Sequence, residues 1–352
     1  MSTPAKESNV FIYVRKILNF LARSKNEISP LLILTHDHPD PDALASAYAL
    51  HYLAKEAYGI QSKIVYAGVI GRMENKEMVR ILKLPIQRLR PSHLKTYRHV
   101  ALVDTQPAFE NNPFPKNKQA TMVLDQHMSV ESPNARLAIV DTEIGATSVI
   151  LAQAILKTKI AIPQCLATAL VYGILSDTMN LYRSHNPALV KTYLSILPHS
   201  DLRALSRIQN PVRSRSFFTT LNRGIYEAMV RHGLIVAHLG IVESPDLVSQ
   251  VADYLITFKR MHWGLCTGRH RGNMLVSLRL AKAFKGNAGE ILRDVFVDRG
   301  QAGGHGSIAG GSFFVGADKS EEEWQAIEQG ITDGLVKRLR LSKAGEFYHP
   351  FR

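Results

Sequence analysis

The sequence predicts an α/β protein with two domains: a doubly wound, mostly parallel sheet with helices on both faces, and a smaller α/β domain across a cleft. Three observations predict this fold. Short apolar runs alternate with helical segments through the first half of the chain, which is typical of βαβ units. Several of these runs end directly at an acidic residue. The 352 residues also exceed what a single hydrophobic core usually supports.

The elements of the first half follow in order. Residues 10–21 carry apolar side chains at helical spacing, and Leu31–Leu34 is a short apolar run typical of a buried strand. Further strands are predicted at 63–67, 99–103 and 121–124, and further helices at 43–57, 73–82, 143–156 and 164–176.

The second half begins with a mainly helical stretch from Pro187 to about Val230, and a new unit opens at Leu234. This unit is predicted to contain strands at 261–267, 274–280 and 312–315, helices at 287–297 and 321–339, and a glycine-rich loop before its last strand. We therefore expect a first domain over residues 1–205, a helical linker over 206–230 and a second domain over 231–352.

Composition narrows the class of protein. The formal charge of +13 favours a polyanionic partner, although the same charge is also typical of a well-solvated surface. Cys165 and Cys266 are the two cysteines, and their separation argues against a disulfide scaffold. The N-terminal segment lacks the pattern of a secretory signal, and no apolar run reaches the ~20 residues of a membrane helix. We expect a cytoplasmic protein without membrane contact.

The densest chemical signal is the segment His36-Asp-His-Pro-Asp40-Pro-Asp42, which follows the first core strand. In doubly wound sheets, ligands bind beyond the carboxyl ends of the strands. The two prolines restrict the loop, which lowers the entropic cost of presenting ligand groups. The segment therefore favours a metal site. The alternative is that Asp42 only caps a helix beginning at Ala43, and this leaves His36 and Asp40 without a role.

Other acidic residues end neighbouring elements. Asp104 follows one predicted strand, Asp125-Gln126-His127 follows the next, and Asp177 ends a helix. A single aspartate in such a position is more often a turn residue or a cap. Four such sites at one edge of a sheet instead favour a metal centre, and carboxylates mixed with imidazole suit Mn²⁺ or Mg²⁺.

The order of these motifs resembles the DHH phosphoesterases, a family that includes RecJ-type exonucleases, oligoribonuclease/phosphoadenosine phosphatases, cyclic-dinucleotide phosphodiesterases and family II pyrophosphatases. The second half resembles the DHH-associated domain of that family. Val276-Ser-Leu-Arg279 is similar to its arginine-bearing strand, and residues 301–311, Gln-Ala-Gly-Gly-His-Gly-Ser-Ile-Ala-Gly-Gly, are similar to its glycine-rich loop. The resemblance spans residues 31 to 316 and lies closest to the oligoribonuclease/phosphoadenosine phosphatase branch.

The resemblance implies a centre of two divalent cations, with Mn²⁺ expected and Mg²⁺ as the alternative. His36 and Asp40 would ligate one cation, Asp42 and Asp177 the other, and Asp104 would bridge both. Two cations about 3.5–4 Å apart activate a water and neutralise charge on phosphoryl oxygens.

The resemblance also implies roles for residues beyond the ligand set. Asp125 would support the centre through hydrogen bonds, and His127 would act near the phosphate as a hydrogen-bond donor or general acid. In the second domain, the residues implied in substrate binding are Arg279, Gly303, Gly304 and His305.

Gln126 departs from the family pattern, because it occupies the position of a metal-ligating histidine. An amide oxygen is a weaker donor to Mn²⁺ than imidazole. We therefore hypothesise that the second cation binds more weakly in this chain. The alternative is a degenerate enzyme without activity.

The resulting functional prediction is a phosphoesterase that hydrolyses short oligoribonucleotides or nucleotide phosphoesters. Alternatives are a phosphodiesterase for cyclic or linear dinucleotides, an inorganic pyrophosphatase or polyphosphatase, and a non-catalytic nucleotide or RNA sensor that Gln126 would explain. The expected partner is a nucleotide or short RNA or DNA oligonucleotide. The sequence leaves the oligomeric state open, with a homodimer as one option.

Overall fold

The computed structural model describes residues 9–128, 131–182, 186–281, 284, 286–296, 302–341 and 345–352. The chain divides into two compact units between Pro211 and Val212, inside the segment predicted as a linker. Within the described residues, no helix combines the length and hydrophobicity needed to cross a bilayer.

The N-terminal unit is built on a six-stranded parallel sheet with strand order β3-β2-β1-β4-β5-β6. Its strands are β1 (Leu31–Leu34), β2 (Ser62–Tyr66), β3 (Ile86–Arg88), β4 (His99–Val103), β5 (Ala120–Asp125) and β6 (Ala135–Val140). Its helices are α1 (Asn9–Ser24), α2 (Pro41–Tyr58), α3 (Met73–Leu82), α4 (His93–Thr96), α5 (Thr147–Thr158), α6 (Gln164–Asp177), α7 (Pro187–Ile196) and α8 (Leu202–Gln209), with a 3-10 turn at Leu197–His199.

The central strand β1 shows why the sheet is covered on both sides. All four of its residues are fully buried. Leu31 and Ile33 pack into a large core with α1, α2, α5 and α6, whereas Leu32 and Leu34 face a smaller core that includes Phe114. Side chains from around α4 complete the smaller core. The predicted doubly wound fold is confirmed.

The C-terminal unit contains a mixed six-stranded sheet with strand order β11-β12-β10-β9-β8-β7. Its strands are β7 (Met229–Arg231), β8 (Leu234–Ile241), β9 (Trp263–His270), β10 (Asn273–Leu280), β11 (Ala302–His305) and β12 (Ile308–Phe314). Its helices are α9 (Arg215–Glu227), α10 (Asp246–Leu255), α11 (Ala288–Val295) and α12 (Glu321–Arg338). Strands β8 and β9 are parallel and the other neighbours are antiparallel. Helices α9 and α10 cover one face, and α11 and α12 cover the other.

Two sequence predictions are wrong in detail. The helix predicted from Glu143 begins only at Thr147, because Gly145 has a φ of +80° and Ala146 is extended. The predicted glycine-rich loop is largely a β-hairpin, in which β11 pairs with β12. Its first residue, Gln301, lies outside the described residues.

Candidate metal centre

The parallel sheet brings its acidic strand ends to one edge. In the register of the central strands, Leu34 lies beside Leu102 and Val103 lies beside Leu124. The residues that follow them along the chain, among them His36, Asp104 and Asp125, therefore emerge at the same carboxyl edge. This is the edge at which the sequence predicts a metal site.

The loop between β1 and α2 is fixed by a helix cap. Asp40 is the cap residue, and its Oδ1 accepts a hydrogen bond of 3.0 Å from the Ala43 amide. Pro41 occupies the first helical turn, where its missing N–H costs nothing. Asp42 therefore lies inside the helix, fully buried, and the alternative in which it serves only as a cap is wrong.

Asp42 is held by the N-terminus of α5. Its two carboxylate oxygens accept hydrogen bonds from the amides of Thr147 (2.7 Å) and Ser148 (2.9 Å). Burial, and to a lesser extent the charge of Asp40, raise the pKa of Asp42 to about 6, although the hydrogen bonds from the helix oppose both effects. A helix N-terminus stabilises the charged form of a carboxylate.

Asp104 lies at the centre of the site with an unsatisfied oxygen. It is 1% exposed, and its Oδ1 accepts a 2.9 Å hydrogen bond from the Thr147 hydroxyl. Its Oδ2 accepts no hydrogen bond from the described residues, and His36 Nε2 lies 3.7 Å from it. Burial raises the pKa of Asp104 well above its usual value, and repulsion from neighbouring carboxylates, first that of Asp40, raises it further.

Asp125 and His127 form a hydrogen-bonded pair beside Asp104. Asp125 Oδ1 lies 2.8 Å from His127 Nδ1, and its Oδ2 accepts a 2.6 Å bond from Gln106. The hydrogen bond that His127 donates to the Asp125 carboxylate raises the pKa of His127 to about 9, against the effect of burial. His127 Nδ1 also lies 3.7 Å from Asp104 Oδ1.

Gln126 links the two carboxylates that were predicted to hold the second cation. Its side-chain amide donates to Asp177 Oδ2 in a short contact and approaches Asp42 Oδ2 at 3.4 Å. Burial raises the pKa of Asp177 well above its usual value, repulsion from other carboxylates raises it further, and the bond from Gln126 lowers it. The predicted ligand groups of the N-terminal unit thus lie together at one edge.

The donor atoms fit a divalent cation. One ligand atom each from His36, Asp40 and Asp104 lie within 4.8 Å of one another, and the same holds for Asp104, Asp125 and His127. Carboxylates this close repel one another unless a cation or a proton is shared. A cation beside Asp104 Oδ2 would satisfy that buried oxygen and relieve the repulsion that raises the neighbouring pKa values.

The predicted substrate-binding residues lie in the C-terminal unit. Arg279, on β10, is 5% exposed; its Nε donates to Asp253 at 2.6 Å and its Nη1 to the Ala309 carbonyl at 3.2 Å. Gly303, Gly304 and His305 form part of β11, and the described structure of His305 is limited to its backbone.

Three contributors to the site were not predicted: Thr147, Ser148 and Gln106. A Thr-Ser pair at the start of an apolar helix is a recognisable signal for an N-terminus that offers amides. Gln106 follows Asp104 by two residues, but nothing in the sequence near it indicates a bond to Asp125.

Comparison with known proteins bears on the family of the N-terminal unit and on the fold. Residues 30–174 match the model of the DHH family, N-terminal domain. An uncharacterized protein of Methanocaldococcus jannaschii is 31% identical over 312 residues, which is 88% of this chain and 63% of the relative. A probable manganese-dependent inorganic pyrophosphatase of Streptococcus equi subsp. zooepidemicus is 27% identical over 162 residues, 44% of this chain and 50% of that protein. The chain thus spans between half and 63% of the length of these relatives.

Among solved structures, an exopolyphosphatase-related protein from Bacteroides fragilis superposes with a TM-score of 0.70 at 15% identity. The match covers 96% of this chain and 100% of that one, and it supports the fold.

Proposed function

We propose, on the premise that residues 30–174 form a DHH family N-terminal domain, that this chain is a divalent-metal-dependent phosphoesterase. Its proposed substrates are short oligoribonucleotides or nucleotide phosphoesters. The observation that carries the proposal is the buried Asp104 Oδ2, which has no donor among the described residues and faces His36 across 3.7 Å.

The proposed ligand set follows from the clustered groups. His36 and Asp40 would hold one cation, Asp42 and Asp177 with Gln126 the other, and Asp104 both. When bound, a divalent cation supplies Lewis acidity, which neutralises charge on phosphoryl oxygens and lowers the pKa of a coordinated water. The similarity to a probable manganese-dependent pyrophosphatase supports Mn²⁺.

His127 is the proposed proton donor to the leaving oxygen. The pKa of about 9 means that its ring is the doubly protonated imidazolium at neutral pH. Asp125 orients the ring through the 2.8 Å contact, and Gln106 holds Asp125 in turn. Because Nδ1 of His127 faces Asp125, the proton available to the leaving oxygen would be the one on Nε2.

The C-terminal unit is proposed to bind a phosphate of the substrate. Gly303, Gly304 and His305 would offer backbone N–H groups to a phosphate, and the glycines permit close approach. Arg279 would support this hairpin. Its guanidinium donates a hydrogen bond to the carbonyl of Ala309 on β12, the residue that pairs with Gly304.

One observation favours a second candidate, a nucleotide or RNA sensor. The side-chain amide of Gln126 donates a hydrogen bond to Asp177 and lies within reach of Asp42. Its N–H groups therefore compete with the second cation for these two carboxylates. Hydrolysis of cyclic or linear dinucleotides is the alternative within the enzyme class.

The proposal is tested by incubating the protein with Mn²⁺ and four phosphate compounds: pAp, a diadenylate, a cyclic dinucleotide and pyrophosphate. Hydrolysis of pAp or the diadenylate is expected, and turnover of the cyclic dinucleotide alone would point to the alternative enzyme. Saturable binding of a dinucleotide without cleavage would favour the sensor.

Asp104→Asn is the matching variant, because asparagine accepts the left-handed backbone at this position (φ +58°). We expect its turnover to fall by roughly a thousandfold, since the interactions of a catalytic cation amount to several kcal/mol. Asp141→Asn is the control, as Asp141 follows β6 at the same edge but contributes to neither ligand cluster. Turnover of Asp104→Asn within tenfold of the unmodified protein would contradict the proposed role.

A further inference from the structure

A second charged feature lies on the same edge of the N-terminal sheet. Between Glu77 and Asp104 the chain contains no acidic residue, while it contains six lysines and arginines. Two of these, Arg88 and Arg90, lie at the end of the edge strand β3. They are called the arginine pair below.

The register places the arginine pair beside the candidate metal centre. Val65 lies next to both Leu34 and Gln87, so Arg88 comes one residue further toward the carboxyl edge. The pairing continues through Leu89, whose amide donates to the Tyr66 carbonyl at 2.7 Å. Two strand spacings separate β3 from β1, so the arginine pair lies about 10 Å to the side of the strand that carries His36.

The arginine pair is exposed and electrostatically uncompensated. Both side chains are exposed, and within the described part of the chain neither takes part in an ion pair. The nearest acidic residue earlier in the sequence, Glu77, is already paired with Arg80 at 2.5 Å. Unpaired arginines at a binding edge are well suited to phosphate, because the guanidinium presents several donors in a fixed plane.

The backbone beneath the pair is held in place. Leu89 packs into the smaller core, which leaves Arg88 on the opposite face of the strand. The Arg90 amide donates to Nδ1 of the buried His93 at 3.2 Å. Burial lowers the pKa of His93, and the nearby charges of Lys63 and Arg90 lower it further.

We propose that Arg88 and Arg90 form a subsite for backbone phosphates of an oligonucleotide, about 10 Å to the side of β1, the strand that leads into His36. The inference rests on the proposed function and narrows it: chains long enough to reach β3 bind more tightly than dinucleotides. The ordinary explanation for cations on an edge strand is protection against strand pairing between molecules. That explanation predicts self-association, and no change in binding, when the charges are removed.

The test measures binding without hydrolysis, by fluorescence anisotropy with labelled RNA of two and of eight nucleotides. All proteins carry Asp104→Asn and are assayed with Mn²⁺, so a failure of hydrolysis does not affect the result. The variant is Arg88→Gln/Arg90→Gln. Arg15→Gln/Arg23→Gln is the matched control, since it removes the same charge from exposed positions of α1.

We expect the Arg88→Gln/Arg90→Gln variant to bind the eight-nucleotide RNA roughly tenfold more weakly, with little change for the dinucleotide. The slope of log affinity against log salt should fall by about 1.4, the loss of two phosphate contacts on a single strand. The control should keep the full slope, and Arg88→Lys/Arg90→Lys should keep most of it.

Three outcomes would overturn the inference. The first is an unchanged salt slope in the Arg88→Gln/Arg90→Gln protein. The second is self-association of that variant with normal RNA binding, which would leave edge protection as the role of the arginines. The third is an arginine-dependent affinity for inorganic polyphosphate in a protein that does not bind the RNA.

Discussion

Buried charges are arranged in opposite ways in the two units. In the C-terminal unit, Arg269 forms a two-pronged ion pair with Glu328, at 2.8 and 3.1 Å, and Arg279 pairs with Asp253. In the N-terminal unit, Asp42 and Asp104 are as deeply buried, and among the described residues no lysine or arginine pairs with them.

The difference separates buried charges that are neutralised within the chain from buried charges that are not. The buried arginines of the C-terminal unit find their counter-ions within the chain. The carboxylates of the N-terminal unit have only His36, His127 and hydrogen-bond donors, so their excess negative charge must be balanced by protons or by cations from solution. Local charge balance is therefore a guide to function that does not depend on motif order.

The first test of this comparison is the loss of stability on substituting Glu328, which is 3% exposed. Glu328→Ala should destabilise the C-terminal unit by about 3 kcal/mol, since it leaves the buried Arg269 without its main partner. Urea unfolding followed by tryptophan fluorescence reports on this unit alone, because Trp263 and Trp324 are the two tryptophans of the chain. Glu321→Ala is the control: this second partner of Arg269 is 61% exposed, and its loss should cost less than about 1 kcal/mol. Equal losses of unfolding free energy in the two variants would contradict the view that Glu328 is the main partner of Arg269.

An effect of similar size is expected on the stability of the N-terminal unit when pH is varied without cations. Asp42 releases its proton near pH 4 when unfolded but only near pH 6 when folded, so the folded state binds more protons between these values. Its contribution to stability is therefore present below pH 4 and is lost as pH rises to 6, by about 3 kcal/mol.

Hydrogen exchange of β1 and β5, in the presence of a chelator, measures this loss. Asp104→Asn should reduce it, because one of the interacting buried carboxylates is gone. Mn²⁺ should restore protection at pH 7. A stability that rises from pH 4 to pH 6 would show that groups within the chain already neutralise the charge of these carboxylates.

The smallest expected effect is a change in Mn²⁺ affinity on substituting Gln126. If the proposed centre holds two cations, Gln126→His should tighten the weaker of the two binding steps by about tenfold, since imidazole is a better ligand for Mn²⁺ than an amide. Calorimetric titration with Mn²⁺ measures both steps, and turnover is compared in parallel. Identical affinity and turnover in the two proteins would remove the hypothesis of a weakened second site.

Local sequence patterns predicted most of the N-terminal fold and the clustering of the candidate ligand groups. β1 was predicted with its observed bounds, and the acidic residues were expected at the edge where they lie. The three-residue strand β3 was missed because it is too short to show a period. Helix α10 was also missed, although Leu247, Val251 and Leu255 repeat at helical spacing, so its signal was available.

Contacts between distant residues account for what the sequence could not predict at the site. The amides that hold Asp42 come from residues 105 and 106 positions later in the chain. No local pattern encodes such a contact, because it depends on how α2 and α5 pack. The ligand types were therefore predictable, whereas the hydrogen bonds that orient them were not.

The backbone at Asp104 has a consequence for how mutations at this position are tolerated. A φ of +58° is adopted with least strain by glycine, asparagine and aspartate. Of these three, aspartate alone supplies a negative charge. In a library of all substitutions at codon 104, cellular abundance should therefore persist best for glycine and asparagine, while a functional screen should recover aspartate alone.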